Sequence, residues 1–523
     1  MSDKPSAVGR SSILRFFRWL GSRQGMRRVA VILIWMITVV ALFYGIENWR
    51  GRRAWQKYQQ TLLARGEQLD LRAMIPQPVP DDQNFASTPF VKSWFDRKKR
   101  FNSVWGDNFS ELSSKVPDPV NNKRLREFVD LGAWQKAFAG EIDAKKKIVA
   151  MNLEGEARAK AAKEVLEELK GIDSLLNELR EASQRPFSRY PVQYDLENPW
   201  GIRLPHLSQV RSTCRRLQLK ACAELAAGRP ERAVEDIRLQ LHMVDSLKGE
   251  PFLIAYLVRV ADLQTAVQPV WEGLMKHQWT EAQLKELQTW FEKANFKTEV
   301  KQSLDYERAA ALWTVDLLRK KGNFAELVSI EADTGTLEIA TRGLMSKLLR
   351  LMPRGWSYQE QLTYCRFFDE QFETTLRDGS PRLVPAELET RKAKVEKQLQ
   401  GRSSLNRLVH HQLAAALLLP GLENMGLRAA TGQVCADEAG IACALERYRL
   451  VNQGFPEKLE ELVPKFLLRL PQDIISGQPY KYRKEGETGY DLYSIGWNER
   501  DDGGLRGRKL FDEKEGDWVW QIR

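Results

Sequence analysis

Residues 207–247, LSQVRSTCRRLQLKACAELAAGRPERAVEDIRLQLHMVDSL, read as two helices joined by a short turn. Apolar side chains recur at steps of three and four on both sides of the turn, a spacing that places them on one helical face. They are Leu207, Val210, Cys214, Leu217, Ala221 and Leu225, and then Ala233, Ile237, Leu241, Val244 and Leu247. Gly228 and Pro230 between the runs are typical of a helix end followed by a helix start. The stretch predicts a helical hairpin.

The sequence around this hairpin extends it into a helical-hairpin array over residues 206–435. A third helix is predicted from about Pro251 to Met275, and a fourth begins at Thr280, which forms a capping-box pattern with Gln283. The turn ELAAGRPERAVED resembles that of a tetratricopeptide-type repeat, but no second copy follows at that family's spacing. The prediction is therefore limited to an array of helical hairpins.

A run without charged residues, VAVILIWMITVVALFYGI, occupies residues 29–46. As a helix it would span roughly 27 Å, enough for the hydrocarbon core of a bilayer. No small-x-small cleavage site follows, because the next residues are Glu47, Asn48, Trp49 and Arg50. This favours an uncleaved signal anchor over a cleaved signal peptide. The basic flanks count against a third alternative, a buried core helix.

The charge of the chain is concentrated near this run. Residues 1–57 hold eleven basic and two acidic side chains, a net +9 of the total +11, which leaves +2 for the remaining 466 residues. A basic face on a folded domain is not indicated, so nucleic acid is not an expected partner. Seven basic residues precede the apolar run and four follow it, which predicts a cytoplasmic N-terminus. We expect a single-pass protein of the bacterial inner membrane with its C-terminal domain in the periplasm.

The overall composition is that of a globular protein, with 43% apolar and 28% charged residues. It excludes a mainly disordered chain, a collagen-like fibre and a polytopic membrane protein. The five cysteines include no C-x-x-C pair, so we interpret them as small buried hydrophobic residues rather than a zinc or redox centre.

The remaining segments divide as follows. Residues 1–28 form a basic cytoplasmic tail, and residues 47–121 a juxtamembrane helix and a proline-rich spacer. Residues 122–184 are a helical segment whose apolar positions, among them Val165 and Leu169, follow an amphipathic spacing. Residues 436–523 form a separate terminal domain.

The sequence shows little sign of catalysis. The Walker A, G-x-G-x-x-G, G-x-S-x-G and H-E-x-x-H motifs are all absent. His206 follows a proline at a helix start, where we expect capping or surface exposure. Carboxylates such as Asp305 and Glu307 beside Arg308, and Glu331 with Asp333, are expected to be solvated or ion-paired.

The terminal domain changes from helix to strand. Alternating apolar residues at Tyr480, Tyr482, Tyr490 and Leu492 predict an antiparallel hairpin whose loop spans residues 484–489. Several phrases of this segment occur in the order Tyr448-Arg449, Gly454-Phe455-Pro456, Leu470-Pro471-Gln472-Asp473, Gly477-Gln478-Pro479-Tyr480-Lys481-Tyr482 and Ser494-Ile495-Gly496.

With these short motifs in this order, the segment resembles the globular domain of the major pseudopilin of type II secretion. The resemblance covers about eighty residues. The residues from Leu413 to Cys443 stand in the place of that family's N-terminal hydrophobic helix but are too polar to cross a membrane. The resemblance therefore implies a small α+β domain and does not imply assembly into a pilus.

The resemblance also implies a calcium loop, in which the family's ligand positions correspond to Asn498, Asp501, Asp502 and Asp517. Calcium prefers six to eight oxygen ligands, and the glycines at 503 and 504 permit a tight backbone path. Three nearby arginines would oppose a cation, so the alternative is a polar Asp-Gly turn closed by Arg–Asp pairs. Both remain open at this point.

The sequence thus predicts a mainly α protein with a single N-terminal transmembrane helix, a helical-hairpin array and a small C-terminal α+β pseudopilin-like domain. The function it favours is non-enzymatic, that of a membrane-anchored scaffold or interaction protein with protein partners, linked to a secretion or pilus-like apparatus. The alternative is an envelope hydrolase with a carboxylate-based site in the helical region. An enzyme should show a cleft lined by converging Asp, Glu or His side chains.

Overall fold

A computed structural model describes residues 19–96, 104–117, 127–141, 150–321, 352–376, 382–400 and 404–523. These residues are mainly helical, with one small sheet near the C-terminus. The helices are α1 Arg23–Ala64, α2 Pro89–Ser93, α3 Phe109–Ser113, α4 Leu131–Phe138, α5 Gly155–Leu169, α6 Asp173–Ala182, α7 Pro205–Ala226, α8 Pro230–Ser246, α9 Leu253–Met275, α10 Glu281–Lys293, α11 Phe296–Lys321, α12 Arg354–Leu376, α13 Pro385–Leu399, α14 Ser404–Val409, α15 Leu413–Leu418 and α16 Met425–Asn452. The strands are β1 Lys481–Glu485, β2 Gly489–Ser494 and β3 Trp518–Ile522.

The chain forms two compact units. The smaller unit contains the described parts of Met1–Glu67, Val315–Arg366 and Gly401–Leu417. The larger unit contains the described parts of Gln68–Thr314, Phe367–Gln400 and Leu418–Arg523. Most of the predicted basic tail and the carboxylates Glu331 and Asp333 lie outside the described residues.

The predicted helical hairpin is present as α7 and α8, which pack against each other in the larger unit. Every apolar residue of the predicted stripe is buried, and Leu217 is completely inaccessible. Gly228 follows α7 with a φ of 74°, a left-handed conformation that glycine adopts without steric cost. Pro230 then occupies the first turn of α8, where its missing N–H group would have no helical partner.

The array continues through α9 and α10, and the predicted capping box of α10 is confirmed. The Gln283 backbone N–H donates to Thr280 Oγ1 at 3.3 Å, and the Thr280 N–H donates to Gln283 Oε1 at 2.9 Å. α9 packs on α7 and α8, and α5, which carries the buried stripe of the predicted helical segment, packs on α7. All five cysteines are buried, as predicted, and each is a free thiol in the structure.

Helix α16 connects the array to the terminal sheet. It packs along α9 and α10 and also contacts β2. The predicted boundary between residues 435 and 436 falls inside this continuous helix.

The sheet is antiparallel, with strand order β1-β2-β3. The predicted hairpin is present, but Lys484 and Glu485 belong to β1 and Gly489 belongs to β2, so its turn is shorter than predicted. β3 was not predicted. It pairs with β2 and places the fully buried Trp520 opposite Leu492.

Helix α1 contains the apolar run and extends well past it without a break. Among the described residues, it is the one helix long and apolar enough to cross a membrane. None of the side chains in its most apolar stretch is buried.

Candidate functional site

A groove of about 650 Å³ opens in the larger unit beside the first turn of α5, the end of α9 and strand β3. We call it the basic groove. The described residues that line it include the cations Arg158, Lys276, Arg506 and Arg523, the acids Glu127, Asp130 and Glu154, and the apolar side chains Phe128, Leu153, Trp271, Met275 and Val519.

An aromatic pair forms the apolar wall of the groove. The rings of Phe128 and Trp271 have their centroids 5.3 Å apart. The indole N–H of Trp271 donates to the Gln521 carbonyl at 3.0 Å, which ties α9 to β3. The Arg158 guanidinium and the Lys276 ammonium lie 5.0 and 5.3 Å from the centre of the Phe128 ring, within the range of cation–π attraction.

A buried ion pair fixes one side of the groove. Glu272 is 2% exposed, and its Oε2 accepts from Arg158 Nη2 at 2.8 Å. Its Oε1 accepts from the Val129 backbone N–H at 2.7 Å and from Gln268 Nε2 at 3.1 Å. Burial raises the pKa of the Glu272 carboxyl, and the positive charge of Arg158 opposes that rise. Glu272, which is 114 positions away in the sequence, thus holds the Arg158 side chain in place.

The other charged groups of the groove differ in how they are held. Asp130 is structural, since its Oδ1 caps α4 at the Ala133 N–H (2.9 Å) and its Oδ2 accepts from the Met151 N–H (2.6 Å). Arg523 Nη2 donates to Asp491 at 2.9 Å. Lys276 is exposed and forms no ion pair with any residue that the structure describes. The groove therefore suits a ligand that has an apolar part and a carboxylate or phosphate group.

If the protein were a hydrolase, carboxylate side chains should converge in a cleft of the helical region. Asp305 lines a second, open cavity of about 590 Å³, where Lys301 Nζ donates to it at 2.7 Å. Glu307 is largely enclosed, and its Oε1 accepts from the Leu253 N–H at 3.3 Å. Burial raises its pKa to about 7. Both carboxylates thus serve packing and helix contacts, and within the described lining of this cavity Asp305 is the one carboxylate.

The structure places the four predicted calcium ligands in one loop region of the sheet. Asn498, Asp501 and Asp502 follow β2, and Asp517 directly precedes β3. Asn498 Nδ2 donates to Asp502 Oδ2 at 3.0 Å, so the amide and one carboxylate are paired with each other. Tyr493 donates its hydroxyl to Asp501 at 3.3 Å.

Asp517 lies at the centre of this loop. Its two oxygens accept from the backbone N–H groups of Asp502 at 3.2 Å and Gly504 at 2.7 Å. Burial is the main cause that raises its pKa, and the charges of Asp501 and Asp502 add to it. In the part of the chain that is described, no group of three or more His, Cys, Asp or Glu side chains is arranged to hold a metal ion.

The alternative of a turn closed by Arg–Asp pairs stays a prediction. At Asp501 the structure shows an ion pair with Lys481, whose Nζ lies 3.5 Å from Oδ2. Arg508 lies 3.4 Å from Glu515 instead. The loop is therefore closed mainly by backbone donors to carboxylates, and calcium binding by it stays a prediction.

The expectation that His206 is exposed or caps a helix is wrong. His206 is completely buried, and its ring stacks on Tyr190 with centroids 4.4 Å apart and on Phe95 at 5.5 Å. Its Nε2 lies 4.0 Å from an oxygen of Glu250.

Burial lowers the pKa of His206 to about 3 and raises that of Glu250 to about 7. The histidine is therefore neutral at physiological pH, so the two groups do not form an ion pair there. A buried neutral histidine enclosed by aromatic rings contributes packing, and the residues that enclose it come from separate parts of the chain.

The basic groove was not predicted from the sequence. Its residues come from five distant segments, and none of those segments carries a motif. A family-model scan, a search of curated proteins and a search of solved structures each found no match to this chain.

Proposed function

We propose that this protein is a membrane-anchored interaction protein of the bacterial envelope, held in the inner membrane by residues 29–46. The observation that carries the proposal is the exposure of α1, where Ile34 and Ile37 are more than 60% exposed. An aliphatic side chain left in water forgoes about 1.5–3 kcal/mol relative to burial. A long run of such side chains is stable when an apolar medium surrounds it, and a bilayer is such a medium.

The distribution of basic residues supports a cytoplasmic N-terminus. Seven basic side chains precede the apolar run and four follow it. Positive charge is retained on the cytoplasmic side, and long C-terminal regions are translocated largely regardless of their charge. On this proposal the larger unit, and the parts of the smaller unit that follow the apolar run, lie in the periplasm.

The basic groove supports the interaction part of the proposal. It places the aromatic pair Phe128 and Trp271 beside the exposed cation Lys276. Aromatic side chains are enriched on surfaces that bind another protein, and the cation would attract an acidic partner. The helical array adds extended surface for such contacts. The partner we propose is a protein that presents an acidic, partly apolar segment.

The terminal residues support a link to a secretion or pilus-like apparatus. The phrases shared with the major pseudopilin are carried here by a helix end followed by an antiparallel sheet. We propose that residues 436–523 are pseudopilin-like and that the 498–502 loop is the place where calcium would bind.

Two measurements test the anchoring. Membranes washed with alkaline carbonate should retain the full chain and release a variant that lacks residues 29–46. Alkaline phosphatase fused after Arg523 should be active in intact cells, while a cytoplasmic fluorescent reporter at the same position should be dark. Release of the full chain would contradict the anchoring, and the opposite reporter pattern would contradict the orientation.

Photo-crosslinking from a residue that lines the basic groove tests the proposed interaction with a partner protein. A photoreactive side chain at Glu127 should give a discrete cross-linked product in cells, and the substitution Lys276→Glu should remove it. The matched control is Lys285, an exposed position on α10 of the same unit. Identical products from both positions would show that the groove has no preferred partner.

A further inference from the structure

In the smaller unit, three chain segments meet where the apolar run of α1 ends. They are α1 itself, the start of α12 and the end of α14. The run ends at Ile46, and α1 continues as a regular helix. Glu47 to Gly51 therefore lie within about 8 Å of its end along the helix axis, at 1.5 Å per residue. This is roughly the thickness of one headgroup layer of a bilayer.

The start of α12 is docked on this turn of α1. The Gly355 N–H donates to Asn48 Oδ1 at 2.6 Å, and the Trp356 indole N–H donates to Glu47 Oε2 at 3.1 Å. The backbones touch at a pair of glycines, because a Cβ atom added to Gly51 would lie 2.1 Å from the Gly355 carbonyl oxygen. The position of Trp356 along α1 is therefore fixed.

The end of α14 reaches the same level through an aromatic contact. The ring of His411 meets Trp356 edge to face, with centroids 5.2 Å apart. Its neighbour Val409 is 54% exposed, although it is an apolar side chain at the end of a helix. On α1 itself, Trp49 is 62% exposed and carries the Arg53 guanidinium over its ring at 5.2 Å.

We propose that these residues form an interfacial collar, which rests on the headgroups of the bilayer that α1 spans. The collar consists of Trp49, Arg53, Trp356 and Val409. Tryptophan and arginine are the side chains that favour the membrane–water interface, with the ring near the acyl boundary and the cation near phosphate. The inference rests on the proposed anchoring of residues 29–46.

The collar has a mechanical consequence. A single helix leaves a protein free to rotate and tilt at the membrane. Two further segments on the same headgroup layer fix the orientation of the smaller unit relative to the bilayer.

The test introduces one new cysteine at a time into the full chain and attaches an environment-sensitive nitrobenzoxadiazole label to it. The labelled protein is placed in phosphatidylcholine–phosphatidylglycerol vesicles. The five native cysteines are buried, so they are protected from the label in the folded protein. The three positions are Val39→Cys in the span, Val409→Cys in the collar and Leu63→Cys on α1. These side chains are 58%, 54% and 52% exposed, and Leu63 lies about 25 Å beyond Ile46 along the helix.

The quencher is a phosphatidylcholine that carries a nitroxide on its headgroup, paired with a lipid brominated deep in its acyl chain. The label at Val409 should lose fluorescence to the headgroup quencher and shift to the blue, and the label at Leu63 should do neither. The label at Val39 should respond to the deep quencher. A response at Val39 with none at Val409 would overturn the collar and leave the anchoring intact, whereas no response at Val39 would overturn both.

Discussion

Replacing Arg158 by methionine should destabilise the larger unit strongly. Methionine keeps much of the apolar stem over Phe128 but removes the charge that faces Glu272. Glu272 then remains buried with its hydrogen bonds from Val129 and Gln268 and with no cation in contact. Removing one partner of a buried ion pair costs about 3–5 kcal/mol.

The loss should depend on pH, with a definite sign. Burial already raises the pKa of Glu272, and removing Arg158 takes away the charge that opposes this rise. The folded state of the variant then binds a proton more tightly than the unfolded state does. Its stability must therefore fall as the pH rises, and the cost of the substitution should be greater at pH 8 than at pH 5.

The assay is urea unfolding of the detergent-solubilised full chain, followed by tryptophan fluorescence at both pH values. Arg232→Met is the matched control, because the Arg232 side chain is 68% exposed and lies 4.0 Å from Glu235. An exposed pair of this kind contributes about 0–1 kcal/mol.

A second substitution, Glu272→Gln, made in the Arg158→Met background should recover most of the loss, since no buried charge then remains. A loss equal to that of the control, or a larger loss at pH 5 than at pH 8, would refute the reasoning.

Three further outcomes are expected. Leu217→Ala should cost about 2–5 kcal/mol in urea unfolding because Leu217 is completely buried, whereas Leu468→Ala, at a leucine that is 87% exposed, should change little; equal midpoints would contradict a packed α7 face. Burial raises the pKa of Asp437 to about 7, so its contribution to stability is full below about pH 4 and is lost as the pH rises through 7. Asp437→Asn should therefore weaken the pH dependence of the urea midpoint, and an unchanged pH profile would argue against it. Calcium at a hundred times its dissociation constant should stabilise the chain by about 2.7 kcal/mol if the 498–502 loop binds it, and Asp502→Ala should remove the gain; a midpoint that calcium does not move would contradict the prediction.

The helices could be predicted because their signals are local. The stripe around Leu217 and the capping box at Thr280 depend on residues three or four positions apart, and both are present in the structure. Strand β3, which reads WVWQI, carries a weaker signal because its residues do not alternate between apolar and polar. Its place in the sheet depends on pairing with β2, as in the contact of Trp520 with Leu492.

The basic groove could not be predicted in the same way, because it depends on contacts between distant segments. Arg158 and Glu272 are 114 residues apart, and Trp271 meets Gln521 across 250. His206 shows the same limit, since its position after a proline suggests an exposed helix start. The aromatic rings that bury it are supplied by residues whose proximity the sequence does not show.

The packing of α16 on α9 and α10 also has a consequence for synthesis. α16 begins about 130 residues after α10 ends, so at 5–20 residues per second the ribosome needs roughly 7–26 s to supply it. During that interval the apolar faces of α9 and α10 lack their partner. A chain in this state is prone to aggregate until the last helix arrives, and a chaperone that covers these faces would protect it.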